Sequence, residues 1–386
     1  MKVFWRPSKI STAALVGIAL GSVGVFNWVE QSSRVDSPAP SELKLRAIQR
    51  TAEAYRLLTA HHNLSHAHPN HGLPADFSSL LGAQHSIITS DLGNLDAKKA
   101  SLNPNWAKVI IDLFEQAGLK AGDTVGVGVS GSFPALNVAT LVAAQEMGLK
   151  TQVISSGAAS NWGANEPDWT WLDMESLLFK KGYIGSKSII ASQGAKMDLA
   201  LDLSQDGKAA LEQARLRNQI KKLPGATLDE LTLNRVNILS QTPIRAYVNV
   251  GGGVASVGTR VVKKTFPAGI TLPGKISLDN TAPGVMSHFY HQGTPVIHLV
   301  RIRELAAQIG LRPWTEGAEL QSTHVDRKLA ILGLIAILLS LIGVGFIKIE
   351  NPIEAARYPL GVQQTVWSKR AAAFALSLMH FLRNLS

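Results

Sequence analysis

Gly122 to Ser155 reads GDTVGVGVSGSFPALNVATLVAAQEMGLKTQVIS. Gly122-Asp123 is a turn signal, and Thr124 to Val129 is a short valine-rich run of the kind buried on both faces of a sheet. Ser130-Gly131-Ser132 breaks the run, and Pro134 starts a helix that reaches Met147 and ends at Gly148. Thr151 to Ser155 is the next strand. Strand, tight turn, helix and strand make one βαβ unit, which requires parallel strands.

The same alternation continues outward. Upstream, Asn103-Pro104 opens a helix with Val109, Ile110, Leu113 and Phe114 on one face, and Ser41-Glu42 opens another. Downstream, Ser188 to Ser192 and Ala246 to Val250 (AYVNV) read as strands, with a charged helix from Lys208 to Leu223 between them. Pro295 to Val300 then feeds a helix from Arg303 to Ile309. The expected fold is α/β, an open, mostly parallel, Rossmann-like sheet.

Such sheets bind ligands at the carboxyl ends of their strands. Two junctions of that kind are visible. Ser130, Gly131 and Ser132 offer backbone N–H groups and hydroxyls at a helix N-terminus, a pocket suited to a carboxylate or phosphate. The run has neither the Gly-Lys-Ser/Thr of a Walker A loop nor the spacing of a hydrolase nucleophile elbow. Gly251, Gly252 and Gly253 end the AYVNV strand and permit close backbone approach to a ligand. A tight turn alone accounts for either junction equally well, but two in one sheet favour a shared cleft.

Ser155 to Glu175 (SSGAASNWGANEPDWTWLDME) lies between these junctions. Asn161, Trp162 and Asn165 are candidate ligand contacts, with Trp169 and Trp171 as further wall or as aromatic core. Asp173 and Glu175 form a carboxylate pair, although a spacing of two does not put both on one helix face. A serine hydrolase would need a base near Ser130 or Ser132, and His288 or His291 in the turn-rich segment GVMSHFYHQG could supply it. The run HHNLSHAHPNHG (residues 61–72) holds five of the 11 histidines. His62 and His66 have the spacing of a helical metal-ligand pair, yet no carboxylate lies within the run, and a solvated loop explains it as well.

Composition narrows the chemistry. The chain contains no cysteine, which excludes disulfides, thiolate metal sites and a cysteine nucleophile. No cofactor motif is present. With 38 Lys/Arg against 28 Asp/Glu the net charge is +10. Residues 203–264 alone carry ten Lys/Arg against four Asp/Glu, which favours anionic partners, whether an anionic polymer or lipid headgroups.

Two uncharged apolar runs, Ile10–Val29 and Leu329–Ile347, are each about 30 Å long as helices, enough to cross a bilayer. Lys/Arg before the first run and after the second place both termini in the cytoplasm. The expected organisation is a cytoplasmic N-terminus (1–9), a transmembrane helix (10–29) and a linker (30–40). An extracytoplasmic α/β domain (41–328), a second transmembrane helix (329–347) and a cytoplasmic tail (348–386) with a short amphipathic helix follow. That is a two-pass inner-membrane protein, and its location disfavours nucleic acid as a partner. Gly17 and Gly21 would let another membrane subunit approach closely.

The segments GDTVGVGVSGSFPALN (122–137), SSGAASNWGANEPDWTWLDME (155–175) and VNVGGGVASVGT (248–259) resemble the poly-gamma-glutamate system protein family. This is a bacterial membrane component associated with synthesis of gamma-linked polyglutamate. The resemblance covers most of residues 41–315, and Ser160 to Asn165 is its most specific part. It implies a membrane-anchored accessory of capsule-type polymer synthesis or export, handling the polyanion outside the membrane together with other membrane subunits. It implies no catalytic residues. An extracytoplasmic serine hydrolase or transferase acting on the polymer or the cell envelope is the alternative.

Overall fold

A computed structural model describes residues 12–32, 40–63 and 79–311, with a few positions between 331 and 337. The chain divides into two compact units, one of residues 34–324 and one of the end segments 1–33 and 325–386.

In chain order the helices begin with α1 (Thr12–Ser32), α2 (Glu42–Asn63), α3 (Leu95–Ser101) and α4 (Trp106–Gln116). Strand β1 (Thr124–Ser130), α5 (Pro134–Glu146) and β2 (Lys150–Ser156) form the central unit. A two-residue hairpin, β3 (Asn165–Glu166) and β4 (Trp169–Thr170), precedes α6 (Trp171–Lys180), β5 (Ile190–Ser192) and α7 (Gln205–Arg217). Next come β6 (Lys221–Lys222), α8 (Leu228–Leu239), β7 (Ala246–Val250), α9 (Val254–Val257) and α10 (Arg260–Thr265). Strand β8 (Gly269–Thr271), α11 (Val285–His291), β9 (Val296–Leu299) and α12 (Ile302–Gln308) complete the larger unit.

Seven strands form one sheet in the order β6-β5-β2-β1-β7-β9-β8. All neighbours are parallel except the β8–β9 edge pair. The chain therefore starts at the centre with β1, winds outward through β2, β5 and β6, and returns to β7 on the other side of β1. Successive connections reverse direction between β1 and β7, so a crevice opens above the carboxyl ends of those two strands.

The sequence of β1 explains how the centre packs. Val125, Val127 and Val129 point to one face, in the cluster with Ile110, Phe114, Leu136 and Leu58 of α4, α5 and α2. The intervening glycines face the other side, where Tyr247 of β7 lies across them. A Cβ at Gly128 would stand 2.3 Å from the Tyr247 hydroxyl oxygen. Tyr247 joins Leu231, Val236, Phe289 and Val296 in the second cluster, beneath α8 and α11. Two apolar faces covered by helices make the three-layer arrangement expected of an α/β chain.

The helical span assignments do not stand. Residues 12–29 of the first run lie in α1, while Leu329–Ile347 lies mostly, and the tail helix at 371–382 wholly, outside the described residues. Among the described residues no helix is long and apolar enough to cross a membrane. The part of the first run that lies in α1, Thr12 to Val29, is diluted by Gly17, Gly21, Gly24, Ser22 and Asn27. The flanking transmembrane helices, and the two-pass inner-membrane placement with an extracytoplasmic domain, are therefore corrected. Among the described residues, apart from the chain neighbours and the backbone of α1 itself, no atom comes within 4 Å of where a Cβ at Gly17 or Gly21 would stand.

Candidate functional site

The turn after β1 is shaped by its own polar groups. The Ser132 N–H donates to Ser130 Oγ at 3.3 Å, and Asn137 Nδ2 donates to the Ser130 carbonyl at 2.8 Å. Phe133 then caps α5 with no side-chain hydrogen bond, Pro134 at the first helical position has no N–H, and the Asn137 N–H donates to the Phe133 carbonyl at 3.0 Å. The turn after β7 is equally constrained. Gly251 has φ +90°, its N–H donates to Leu299 O at 2.9 Å, and its carbonyl accepts from Asn249 Nδ2 at 2.6 Å. The ammonium of Lys263 lies 2.9 Å from the place a Cβ at Gly252 would take. A side chain there would displace Lys263 from the crevice.

The two turns line one cleft of about 740 Å³, shared by Ser130, Ser132 and Gly251 to Gly253. Its charged lining is mixed. Among the described residues Lys196, Lys263 and Arg301 form no ion pair, whereas Arg303 answers Asp96 at 3.5 Å. Asp91 and Asp202 are turned to the backbone, accepting from Leu92 N at 2.7 Å and Lys196 N at 3.0 Å. The positive charges are felt at the end of β9, where His298 is fully buried. Burial first, then the charges of Lys263 and Arg301, hold its pKa down to about 4.

A buried ion pair supports the floor at β2 and β5. Arg235 Nη2 lies 2.7 Å from Asp198 Oδ2, and both residues are nearly inaccessible. Ser156 and Ser192, at the ends of those strands, each donate to Asp198 Oδ1, at 2.9 and 2.7 Å. Ala195, Met197, Asp198 and Ala200 all have positive φ. This local strain persists only where the surroundings over-determine it.

The 157–166 loop forms another wall. Asn161 Oδ1 accepts from Gly93 N at 3.0 Å, and its amide donates to Gln84 O. Asn165 donates to Ala83 O and Thr89 Oγ1, at 2.8 and 2.9 Å. Both asparagines thus pin the 82–94 segment to this loop and leave the cleft to its neighbours. Trp162 carries φ +61° in the same loop, while Trp169 and Trp171 are core. Asp173 accepts from Thr170 N at 2.8 Å and pairs with Arg217, and Glu175 is buried against Ser188.

The histidines go elsewhere. His288 Nε2 faces Gln292 at 2.8 Å and His291 Nε2 faces the Asp279 carbonyl at 2.9 Å, so neither is paired with Ser130 or Ser132. His62 is buried at the end of α2, 2.9 Å from Glu166 and stacked on Trp169. His66 lies outside the described residues. Among the described residues no group of three potential metal ligands occurs.

One residue gave no signal in the sequence. Lys98 of α3 stands in LDAKKAS, which reads as a solvated charged helix, yet it is only 1% exposed. Its ammonium bonds to the Ser132 carbonyl, lies 2.9 Å from Ser160 Oγ and 4.2 Å above the Phe133 ring. Burial lowers its pKa to about 7.

No protein-family model matches the chain, and no curated protein is similar to it. A solved O-ureido-L-serine synthase is 12% identical over 62% of this chain and 75% of that one, with a TM-score of 0.16. That likeness is too slight to carry an argument. Nothing in these comparisons indicates poly-gamma-glutamate or a capsule; the mostly parallel α/β fold is what is supported.

Proposed function

We propose that the α/β unit binds a ligand carrying carboxylates in the cleft above β1 and β7. The observation that carries this reading is the convergence there of the Ser130–Ser132 turn, a triple-glycine turn and three cations that, among the described residues, have no ion-pair partner. Hydroxyl, ammonium and guanidinium groups are donors that suit a carboxylate. A ligand with several carboxylates would use Lys263 and Arg301 on one side and the α5 turn on the other. Gamma-linked polyglutamate, the polymer implied by the resemblance, is one such ligand and the first to test.

Calorimetric titration of the full chain with gamma-linked glutamate oligomers checks the proposal. Saturable binding is expected, weakening about 10-fold or more in Lys263→Ala and again in Arg301→Ala, since a hydrogen bond to a charged group contributes about 1.5–3 kcal/mol. Binding that is absent, or unchanged in both variants, contradicts it. The serine hydrolase built on Ser130 or Ser132 with His288 or His291 has no bonded Ser–His pair to rest on.

A further inference from the structure

We propose that Ser160 and Lys98 form a nucleophile–base pair that carries out acyl transfer on an amide or ester bond of a ligand in this cleft. The proposal rests on the cleft being the ligand site and adds an activity to it.

Four observations converge. Ser160 lines the cleft, and its hydroxyl is 2.9 Å from Lys98 Nζ, within the reach a general base requires. Lys98 is buried behind it and, among the described residues, forms no ion pair, so no described carboxylate holds its proton in place. The Ser160 N–H donates to Ser132 Oγ at 3.1 Å, which ties the serine to the turn where α5 begins. That turn offers the electropositive helix end suited to a developing oxyanion.

The surroundings keep Lys98 responsive to pH. Its polar neighbours are a backbone carbonyl and a hydroxyl, and the Phe133 ring covers it. Charged residues on the adjoining elements are Asp96 and Lys99 on α3 itself and Arg303 and Glu304 on α12. Asp96 and Arg303 are paired with each other. Desolvation is the dominant influence, and it holds a substantial neutral fraction near pH 7.

The step balances without a cofactor. Neutral Lys98 takes the Ser160 hydroxyl proton as Oγ bonds to the carbonyl carbon, and the carbonyl π electrons move to oxygen. The tetrahedral species collapses and expels the amine or alkoxide, which takes the proton from the Lys98 ammonium. An ester on Ser160 remains. Water or an acceptor amine attacks that ester, passes its proton to Lys98, and Ser160 Oγ departs with the proton returned. Serine–lysine pairs are an established way of activating a hydroxyl without histidine.

A fluorophosphonate probe tests the pair on the full chain, read by intact mass and peptide mapping. One adduct per chain is expected, on Ser160, with fluoride displaced and a rate that rises with a midpoint near pH 7. Ser160→Ala should remove it, and Lys98→Met should slow it about 100-fold or more. No adduct up to pH 9, or an adduct on another serine, overturns the proposal. Lys98→Met empties a buried position and can compromise folding, so Ser160→Cys provides a second readout. The chain has no other cysteine, and a thiol beside the ammonium should react with iodoacetamide with a pKa below the ordinary ~8.5. A pKa at or above that value also overturns the pair. Glutamate-oligomer binding is measured on the same samples. In the native chain, no labelling with binding intact refutes the pair alone, whereas no binding refutes the cleft reading.

Discussion

A Cβ placed on Gly163 would stand 2.6 Å from the Gly131 carbonyl oxygen and 3.0 Å from Ser132 Cα. The two glycines let the 157–166 loop approach the turn after β1, and the Ala164 N–H donates to Gly131 O at 2.7 Å. Gly163→Ala should therefore cost about 1–3 kcal/mol of stability, read as a lowered urea midpoint. A variant as stable as the native chain would show that the approach is not tight. Glu175 makes a separate prediction. Its carboxyl is fully buried, accepts from Ser188 N and Oγ at 3.1 and 2.9 Å, and burial pushes its pKa up to about 8. The folded chain thus keeps a proton that the unfolded chain releases in the ordinary carboxylate range. This contribution to stability is full in acid and is lost as pH rises toward about 8. Glu175→Gln should flatten the fall of melting temperature between pH 5 and 8; an unchanged slope would place the loss elsewhere. Glu175 reads from the chain only as half of a carboxylate pair with Asp173, and Gly163 carries no signal there. A glycine's contact partner and a carboxyl's burial depend on segments distant in sequence.

Between elements, the Asp198–Arg235 pair joins the ends of β2 and β5 to α8 through Ser156 and Ser192. Asp198→Ala leaves a guanidinium buried without its partner and should destabilise the chain by about 3–5 kcal/mol. Adding Arg235→Met should recover much of that loss, because the uncompensated charge is then gone. Equal losses in the single and double variants would contradict the pairing. At this scale the central elements were legible. β1, α5, β2 and β7 fall within a residue or two of the segments read from periodicity, since strong apolar runs bounded by glycine and proline leave few choices. The weaker stretches were not. Lys208–Leu223 divides into α7 and the short exposed strand β6, whose two lysines carry no apolar signal. The antiparallel edge strand β8 is only three residues long.

For the whole molecule, the strand order decides where chemistry can occur. The outward winding from β1 and the return to β7 bring two glycine junctions, 120 residues apart, to one crevice. Their types could be read from the sequence, and so could the expectation of a shared cleft. Lys98, Ser160, Lys263 and Arg301 were not recognised as site residues, because ordinary charged and polar positions acquire meaning only when the fold closes around them. The long apolar runs misled in the opposite direction. Counting uncharged residues overlooks the glycines, serine and asparagine that dilute α1, and no described helix meets the requirement for a membrane span. The most direct test of the central claim is a crystal structure of the chain soaked with a gamma-linked glutamate oligomer. Carboxylate density is expected between the Ser130–Ser132 turn and the Lys263–Arg301 side of the Gly251–Gly253 turn. An oligomer bound elsewhere, with that cleft empty at saturating ligand, would contradict it.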